Sequence, residues 1–585
     1  MRRFVVGFFA VIGIVAFVGL LGLIGLIVAV VQIGKSPALP DSIVLTADLT
    51  GGLSDEPDPD RASALLFGKA TTLRDFVDAV DRAANDPRVK SLFVELGGDS
   101  LGLAKTQQVR DTIAAFRAKG KFAVAFADTY GEGGPGTRPY YLATACDEIW
   151  LQPLGQVALT GLRSETPFVK GLLDKLGVSA DFMHREEFKT AMNSLTETQM
   201  TAPQREEVEA LLTSIWGQIT QGVAAARNLS PDQVAALADR APLSAEEAHA
   251  AGLVNRIGYR DQAMNDARSH AGSGAKYLTM ARYLREAGRP HASGSEIALI
   301  YGTGLITRGG GETALGANNF GARSIGRAFA AAARDKDVRA IVFRIDSPGG
   351  SATASETIWR DIEEARARGK PVIVSMGDVA ASGGYYVAAP ADKIVAEPAT
   401  LTGSIGVLAG KFVLGGLMQK LGVTVDSATR GANAGMFSAT EDFSPQARAR
   451  LNAELDDTYA GFKAHVAAGR NMSPDAVEAV AKGRVWSGAD AKQRGLVDAL
   501  GGYETALKLA REAAKLPDDA PIKVVVFPRE RGLIAALLER MRGDDSNAPS
   551  ALQRDLVALR IMVAAGESLL ADPGVLRMPP IGELR

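Results

Sequence analysis

The sequence has very few of the residues on which disulfide and metal chemistry depend. Its 585 residues include one cysteine and five histidines, so no disulfide can form within the chain. No C-x-x-C or H-E-x-x-H motif occurs and the histidines are scattered, which argues against a metal site. The single cysteine, Cys146, aligns with Ala391 in a tandem repeat described below, and it is predicted to be a buried structural thiol.

The chain also lacks an excess of charge of either sign. It contains 65 Lys+Arg and 67 Asp+Glu, which gives a net charge of −2 and a pI near 6.3. A nucleic-acid-binding domain would carry a basic patch, so nucleic acid is not an expected partner. The length exceeds what a single hydrophobic core supports, and two or more domains are therefore expected.

One long apolar run is present, at the N-terminus. Residues 4–31 are almost all apolar, and the run exceeds the ~20 residues that cross a bilayer. A cleaved signal peptide would have a shorter run and an A-x-A-like end, which is absent. We therefore expect residues 1–34 to form a single transmembrane anchor in the lipid of the inner (cytoplasmic) membrane. Arg2 and Arg3 favour a cytoplasmic N-terminus, which puts the other domains on the extracytoplasmic side. If the source is a Gram-negative bacterium, that side is the periplasm.

The rest of the chain contains a tandem repeat. Y-Y-L-A-T-A-C-D-E-I (140–149) aligns with Y-Y-V-A-A-P-A-D-K-I (385–394), and L-L-D-K-L-G-V aligns with L-M-Q-K-L-G-V. In each copy short apolar runs alternate with helical patterns of 10–15 residues, which is typical of βαβ units and a parallel sheet. The predicted fold class is α/β, with a first repeat domain at 42–285 and a second at 293–515.

Residues 516–585 contain a segment without a counterpart in the repeat. Apolar residues at helical spacing in 533–541 and 552–559 predict a C-terminal helical tail that packs on a neighbouring surface. A helix lying on the membrane is the alternative interpretation.

The two copies differ at one turn, where only the second copy carries a serine. It reads A-S-G-G at 381–384, whereas the first copy reads T-R-P at 137–139. A buried strand, a sharp turn and a helix make the layout of a nucleophile elbow, although the letters are not G-x-S-x-G. The alternative is that the serine serves only as the N-cap of the helix. Because the other repeat does without it, we predict that Ser382 is a nucleophile.

A second glycine-rich turn, D-S-P-G-G-S at 346–351, follows another predicted strand. The phosphate-loop motif G-x-x-x-x-G-K-[ST] is absent. The backbone N–H groups of Gly383 and of Gly350 or Gly349 are instead predicted to form an oxyanion hole. The alternative is a turn that needs glycine only for a positive φ angle.

A serine nucleophile needs a base, and no histidine lies near either glycine turn in the sequence. A lysine can act instead if burial lowers its pKa from the usual value of about 10.4. Lys189 aligns with Ala434, so this lysine occurs only in the copy that lacks the serine. The complementary placement predicts one site shared by the repeats, with Lys189 as its base. The alternative is a surface lysine beside Glu186 and Glu187.

Four motifs together resemble the bacterial signal peptide peptidase A family in its long form: D-S-P-G-G-S (346–351), A-A-S-G-G-Y-Y (380–386), L-T-G-S-I-G-V (401–407) and E-F-K-T-A (187–191). The resemblance implies tandem Clp-protease/crotonase-like domains and a membrane-anchored Ser–Lys dyad peptidase that degrades cleaved signal peptides and similar apolar peptides. It makes Ser382 the nucleophile and Lys189 the general base. It also implies that Ser404 orients the lysine amine.

The same resemblance implies a homotetramer that stands on the membrane and needs no cofactor. Two other functions stay open from the sequence. A crotonase-like enzyme acting on acyl thioesters would use the same glycine amides and would bind coenzyme A. A non-catalytic membrane scaffold would have no use for Ser382.

Overall fold

The computed structural model describes residues 39–56, 71–98, 100–311, 319–529 and 575–577. The predicted membrane anchor lies outside these ranges, as does most of the predicted helical tail. Among the helices that are described, none combines the length and the hydropathy needed to cross a bilayer.

Strands and helices alternate along the described chain. The strands are β1 (Ile43–Asp48), β2 (Val89–Leu96), β3 (Phe122–Ala127), β4 (Glu148–Leu151), β5 (Gln156–Val157), β6 (Ser179–His184), β7 (Leu243–Ser244), β8 (Arg256–Ile257), β9 (Lys276–Thr279), β10 (Ser295–Thr303), β11 (Ile306–Thr307), β12 (Phe320–Gly321), β13 (Val338–Ser347), β14 (Gly349–Ser351), β15 (Val372–Ala381), β16 (Lys393–Ala396), β17 (Leu401–Gly403), β18 (Leu408–Val413), β19 (Val485–Ser487), β20 (Ala499–Leu500), β21 (Ile522–Val526) and β22 (Val575–Arg577). The helices are α1 (Leu73–Ala84), α2 (Leu103–Ala118), α3 (Thr137–Ala143), α4 (Lys170–Leu176), α5 (Asn193–Thr196), α6 (Ala202–Arg227), α7 (Pro231–Ala238), α8 (Ala245–Ala250), α9 (Arg260–Ala271), α10 (Met280–Ala287), α11 (Ala322–Arg334), α12 (Ala352–Ala367), α13 (Gly383–Ala388), α14 (Gly415–Lys420), α15 (Pro445–Arg470), α16 (Pro474–Val480), α17 (Gly488–Gln493) and α18 (Tyr503–Ala513).

Each repeat is built on its own large sheet. The first sheet has the strand order β8-β4-β3-β2-β1-β9, and its strand pairs are parallel. The second has the order β19-β17-β15-β13-β10-β21, with β16 and β20 attached beside β15. Its pairs are parallel except for β17 with β19. The parallel sheets confirm the prediction made from alternating strand and helix patterns.

The longest helices of the two repeats match in detail. Helices α6 and α15 each have 26 residues and carry proline in the first turn. Thr201 caps the start of α6 and Ser444 caps the start of α15, where each side chain accepts a hydrogen bond from an otherwise unpaired N–H group. Asn228 and Asn471 end these helices in the left-handed conformation, which asparagine tolerates better than most residues. The same local signals therefore set the same helix boundaries in both copies.

A third sheet joins the two repeats. Its strand order is β12-β11-β14-β22-β18-β6. Strand β6 comes from the first repeat and pairs antiparallel with β18 of the second over Ser179–His184. This pairing brings the segment after β6, which contains Lys189, to the second repeat.

The repeats also share one hydrophobic core. The largest cluster of buried apolar side chains includes Phe76 and Val109 from the first repeat and Leu299, Val342 and Tyr503 from the second. Burial of apolar surface is the main force that stabilises such packing. The two repeats are therefore packed against each other through continuous apolar contacts.

The expectation of a helical tail at 516–585 is corrected where the structure describes this segment. Residues Ile522–Val526 form a strand that pairs in parallel with β10, because the β-branched run V-V-V suits the edge of a sheet. Residues Val575–Arg577 form a second strand, β22. The two apolar stripes at 533–541 and 552–559 lie outside the described residues.

Candidate active site

Ser382 occupies the sharp turn between β15 and α13. Its backbone has φ 54° and ψ −116°, a conformation that costs free energy for any residue with a side chain. The Ser382 N–H donates to the Gly403 carbonyl at 2.8 Å, and its carbonyl accepts from the Tyr386 N–H at 2.8 Å. These bonds hold the strained turn, which has the strand–turn–helix form of a nucleophile elbow. The sequence placed Ser382 in this turn correctly.

The two glycine-rich turns meet beside Ser382. A Cβ atom on residue 383 would lie 3.1 Å from the Gly350 amide nitrogen and 2.8 Å from Ser355 Oγ. Gly349 has φ 100° and Gly350 has φ 157°. The missing side chain at Gly383 therefore lets the backbone of Gly349–Ser351 come close to the nucleophile turn. The three glycines predicted as oxyanion donors are neighbours in space.

Lys189 reaches Ser382 within one chain. Its Nζ lies 2.9 Å from Ser382 Oγ. The same Nζ is 2.9 Å from the Ser404 carbonyl oxygen and 3.0 Å from Ser404 Oγ. The structure thus brings together the three side chains that the sequence analysis named as nucleophile, base and orienting residue.

The environment of Lys189 disfavours a charged amine. The residue is 1% exposed, and burial lowers the pKa of its amine well below the usual value. The Glu207 carboxylate acts in the opposite direction. Burial, however, raises the pKa of Glu207 itself to about 8, so this carboxyl is mostly protonated at neutral pH. Glu207, on α6, is a site neighbour that sequence reasoning missed.

A glycine outside the predicted motifs allows the lysine to approach. Gly483 has φ +80°, and a Cβ atom there would lie 2.5 Å from the Lys189 backbone nitrogen. The Phe188 N–H donates to the Lys482 carbonyl at 3.1 Å beside this contact. Only a glycine satisfies both the positive φ and the close backbone contact. In the sequence Gly483 occurs in K-G-R (482–484), which matches no motif, so the sequence analysis did not predict that it belongs to the site.

Ser404 is also held in an unusual conformation. It is fully buried with φ 51°, and its N–H donates to the Arg484 carbonyl at 2.7 Å. This geometry directs both its carbonyl and its hydroxyl oxygen towards Lys189 Nζ. From residue types alone Ser404 was an ordinary turn serine, and only the resemblance pointed to it.

A partly buried cluster of charges lies where the D-S-P-G-G-S turn begins. Lys105 Nζ is 2.8 Å from Asp55, 2.9 Å from Asp346 and 3.3 Å from Asp378. Arg344 pairs with Asp55 at 2.9 Å. Lys105 and Asp55 belong to the first repeat and the other three residues to the second. The sequence analysis missed this cluster because its members are far apart along the chain.

The histidines and candidate metal ligands that the structure describes are not among the hydrogen-bond partners of Ser382. In the part of the chain that the structure describes, no histidine hydrogen-bonds Ser382. The described residues contain one group of three potential metal ligands, Glu148, Asp266 and His270, in the first repeat. None of these residues contacts Ser382 or Lys189.

The one cysteine is buried, as predicted. Cys146 is 5% exposed and lies in the turn between α3 and β4. Burial raises the pKa of its thiol to about 12, so the reactive thiolate is scarce at neutral pH. The residue acts as a small apolar side chain in the core of the first repeat.

Comparisons with known proteins identify the family of this chain. The model of peptidase family S49 matches residues 115–273 and 364–517, and so covers part of each repeat. The chain belongs to peptidase family S49. It is 32% identical to Protease 4 of Salmonella typhi, across 84% of this chain and 83% of that protein. It is 31% identical to the chloroplastic serine protease SPPA of Arabidopsis thaliana, across 83% of this chain and 71% of that protein.

This S49 member is therefore a serine peptidase, and the resemblance to signal peptide peptidase A is confirmed at the level of the family. The solved structures to which this chain was compared align with low TM-scores. ClpP1 from Listeria monocytogenes aligns with a TM-score of 0.21 at 13% identity, across 36% of this chain and 94% of that one. Scores this low do not establish a shared fold, so the Clp-protease/crotonase likeness stays a prediction, whereas the α/β class is observed directly.

Proposed function

We propose that this S49 peptidase is a membrane-anchored endopeptidase with a Ser–Lys dyad, in which Ser382 is the nucleophile and Lys189 the general base. Its proposed substrates are cleaved signal peptides and similar apolar peptides. One observation carries the proposal: Lys189 Nζ lies 2.9 Å from Ser382 Oγ in a buried site that disfavours the charged amine.

In the first step the neutral Lys189 amine accepts the Ser382 hydroxyl proton while Oγ attacks the peptide carbonyl carbon. The separation of 2.9 Å is within the range needed for direct proton transfer. Ser404 receives hydrogen bonds from Nζ, which fixes the direction of the amine lone pair. The attack forms one C–O bond and moves the carbonyl electron pair onto oxygen.

The resulting oxyanion would be stabilised by backbone N–H groups of Gly383 and Gly350, with Gly349 as the alternative to Gly350. The proximity of these glycines beside Ser382 supports this role. Donors that are already in place when charge develops lower the barrier without reorganising. Gly383 is also the first residue of α13, where the helix dipole favours negative charge.

Collapse of the intermediate breaks the C–N bond, and the Lys189 ammonium donates its proton to the leaving amine. Lys189 is then neutral again and accepts a proton from the water that attacks the acyl-enzyme carbonyl. Collapse of this second intermediate breaks the C–O bond to Ser382, and the Lys189 ammonium returns the proton to Ser382 Oγ. The protein groups needed for both halves of the reaction are Ser382, Lys189 and the backbone amides, and the cycle requires no cofactor.

The third sheet supports binding of the substrate as an extended strand. Strand β22 pairs antiparallel with Gly349–Ser351 on one side and contacts β18 at Leu408 on the other. A peptide strand bound there would run directly past Gly350. Addition of a strand to a sheet is a common way for proteases to hold peptides, because main-chain hydrogen bonds do not depend on side-chain identity.

Membrane anchoring through residues 4–31 is proposed from the sequence alone. Such an anchor in the inner membrane would hold both repeats on the extracytoplasmic side, close to the bilayer in which signal-peptide remnants are left. Membrane lipid is then a partner, and nucleic acid is not expected to be one.

A homotetramer is proposed as the assembled form. Large apolar side chains are exposed around α4 and α14, which is unusual for a surface that meets only water. They are Leu172, Leu176, Leu421, Val423 and Val425, with exposures from 43% to 70%. This surface supports self-association through residues 172–178 (L-L-D-K-L-G-V) and 417–423 (L-M-Q-K-L-G-V).

The first test compares peptide hydrolysis by the full-length chain and its Ser382→Ala and Lys189→Ala variants in detergent. Each variant should lose at least about 10⁴-fold in kcat/KM, because nucleophile and base act as a unit. Matched controls are Ser100→Ala, an exposed serine of the first repeat, and Lys336→Ala, an exposed lysine of the second. Turnover near the wild-type rate in the Lys189→Ala protein would contradict the dyad, whereas active controls would show that loss is specific.

The two alternative functions are less well supported. The family match to a peptidase disfavours a scaffold without chemistry. A crotonase-like enzyme would require coenzyme A binding, which titration of the chain with coenzyme A would reveal.

A further inference from the structure

A cavity of about 160 Å³ lies between the two repeats, apart from the Ser382 site. Helices α1 and α2 of the first repeat form one side. The start of α18 and the residue Glu397 of the second repeat form the other. None of the lining residues contacts Ser382 or Lys189, so the cavity is independent of the peptidase chemistry.

Two buried side chains present unpaired oxygen atoms to this cavity. Glu397 is 1% exposed, and neither of its carboxylate oxygens has a hydrogen-bond partner among the described residues. Gln108 is 4% exposed, and its Oε1 is likewise without a partner there. A buried polar atom left unpaired costs free energy, because it has lost its hydrogen bonds to water without replacement. A bound water or ion is one way in which a native protein satisfies such atoms.

The two side chains converge at one point of the backbone. A Cβ atom on Gly502 would lie 2.5 Å from Gln108 Cδ and 2.7 Å from Glu397 Oε1. The glycine therefore leaves room for an amide from the first repeat and a carboxylate from the second to meet. This contact lies at the start of α18, whose first residue is Tyr503.

The charged side chains that line the cavity are mostly acidic. Asp81, Asp111 and Glu504 line it together with Glu397, whereas Lys119 is the one basic residue of its lining. A positive ion held among these carboxyl groups would offset their mutual repulsion.

We propose that this cavity binds a divalent cation of the Ca²⁺ or Mg²⁺ class, with Glu397 and Gln108 as ligands and Asp111 as a further acidic neighbour. Such cations prefer carboxylate and amide oxygens and retain part of their water shell, which a cavity of this size can hold. Since ligands come from both repeats, the cation stabilises the packing of one repeat on the other. It takes no part in peptide hydrolysis.

The test uses the full-length chain in detergent, freed of metal with a chelator that is then removed. CaCl₂ and MgCl₂ are added separately, with NaCl at matched ionic strength as reference, and the thermal midpoint and binding isotherm are measured. At least one of the two cations should raise the midpoint in proportion to the logarithm of its concentration, as expected for a ligand of the folded state. Glu397→Gln should weaken its binding at least about 10-fold.

Glu246→Gln is the matched control, since this exposed glutamate lies far along the chain in α8. Equal cation binding by the Glu397→Gln and Glu246→Gln proteins would overturn the proposal. A thermal midpoint that responds to CaCl₂ and MgCl₂ no more than to NaCl would also overturn it, and water would then be the occupant of the cavity. If Glu397→Gln does not fold, Gln108→Leu provides the second variant. It removes one neutral ligand and should also weaken binding, and unchanged binding would again overturn the site.

Discussion

At the scale of single residues, the proposed Ser–Lys dyad depends on the burial of one lysine away from water. At pH 7 a lysine with the usual pKa of about 10.4 is neutral in about 1 of 2,500 molecules. Burial of Lys189 lowers this pKa and increases the fraction of molecules with a competent base. Only a charged Glu207 carboxylate would stabilise the Lys189 ammonium and raise its pKa again. Because burial keeps Glu207 mostly protonated at neutral pH, it does not cancel the lowering of the Lys189 pKa.

The pH dependence of hydrolysis follows from this shift. The base is the deprotonated amine, so kcat/KM should fall in acid and rise as Lys189 loses its proton. Since burial lowers the pKa, the rise should be complete well below pH 10.5, the usual lysine value. A rate profile with a fluorogenic apolar peptide measures this. A profile that still climbs beyond pH 10 would mean that the amine has its ordinary pKa.

Ser404 is expected to be a positioning residue. In Ser404→Ala the hydroxyl contact with Nζ is lost while the carbonyl contact remains. The misdirected amine should lower kcat by roughly 10–100-fold with little change in KM, since small displacements of a catalytic group are costly. Ser91→Ala is the control, because Ser91 is equally buried and bonds the Ala267 carbonyl remote from the site. A similar fall in kcat for both variants would indicate a general structural effect.

At the scale of elements, the third sheet has a strand between β14 and β18 that comes from the far C-terminal part of the chain. Strands in a sheet are about 4.8 Å apart, so β14 and β18 would face each other across a gap of one strand if β22 were absent. The gap has the width that an extended peptide needs. Strand β22 therefore lies where the proposed substrate would bind.

Weakening β22 should improve access for added peptides. Leu576 pairs with Gly350, and proline at 576 removes a backbone N–H and disfavours the strand. Leu576→Pro should lower KM for a fluorogenic peptide several-fold while kcat stays unchanged. Leu576→Ala keeps the backbone donor and serves as the control. An unchanged KM in the proline variant would show that β22 does not compete with substrate.

At the scale of the whole molecule, the repeats are coupled by charge as well as by apolar packing. Lys105 lies among Asp55, Asp346 and Asp378, and α2 thereby contacts the start of the D-S-P-G-G-S turn. Burial raises the pKa of Asp346 to about 7, although the Lys105 charge opposes that rise. The cluster thus links the first repeat to the loop that holds Gly349 and Gly350.

Lys105→Met should destabilise the protein by about 3 kcal/mol or more, because carboxylates lose their shared partner in a buried place. The loss should be larger at pH 8 than at pH 5. Without the ammonium, the folded-state pKa values of the carboxyls rise. The variant therefore loses more stability at pH 8, where the unfolded carboxyls are ionised, than at pH 5, where the folded carboxyls are largely protonated. Urea unfolding at both pH values measures the difference. Lys336→Met is the exposed control, and a loss independent of pH would contradict this account.

The order of strands and helices in each repeat could be predicted from the sequence because short-range patterns determine it. The long helices at 202–227 and 445–470 begin with a capping Thr or Ser and a proline and end at an asparagine. Ser382 could likewise be placed in a strand-to-helix turn from local sequence. The strand at 522–526 was missed, since its pairing with β10 depends on a partner more than two hundred residues away.

The sequence by itself determined the duplication, the parallel α/β units and the division of serine and lysine between two copies. Only the tertiary structure decided that these groups meet. The pairing of β6 with β18, the close approach at Gly483 and the charged cluster around Lys105 all join residues that are remote along the chain. Burial, which sets the pKa of Lys189, is a property of the packed molecule, because it depends on which surfaces lie together rather than on neighbours in sequence.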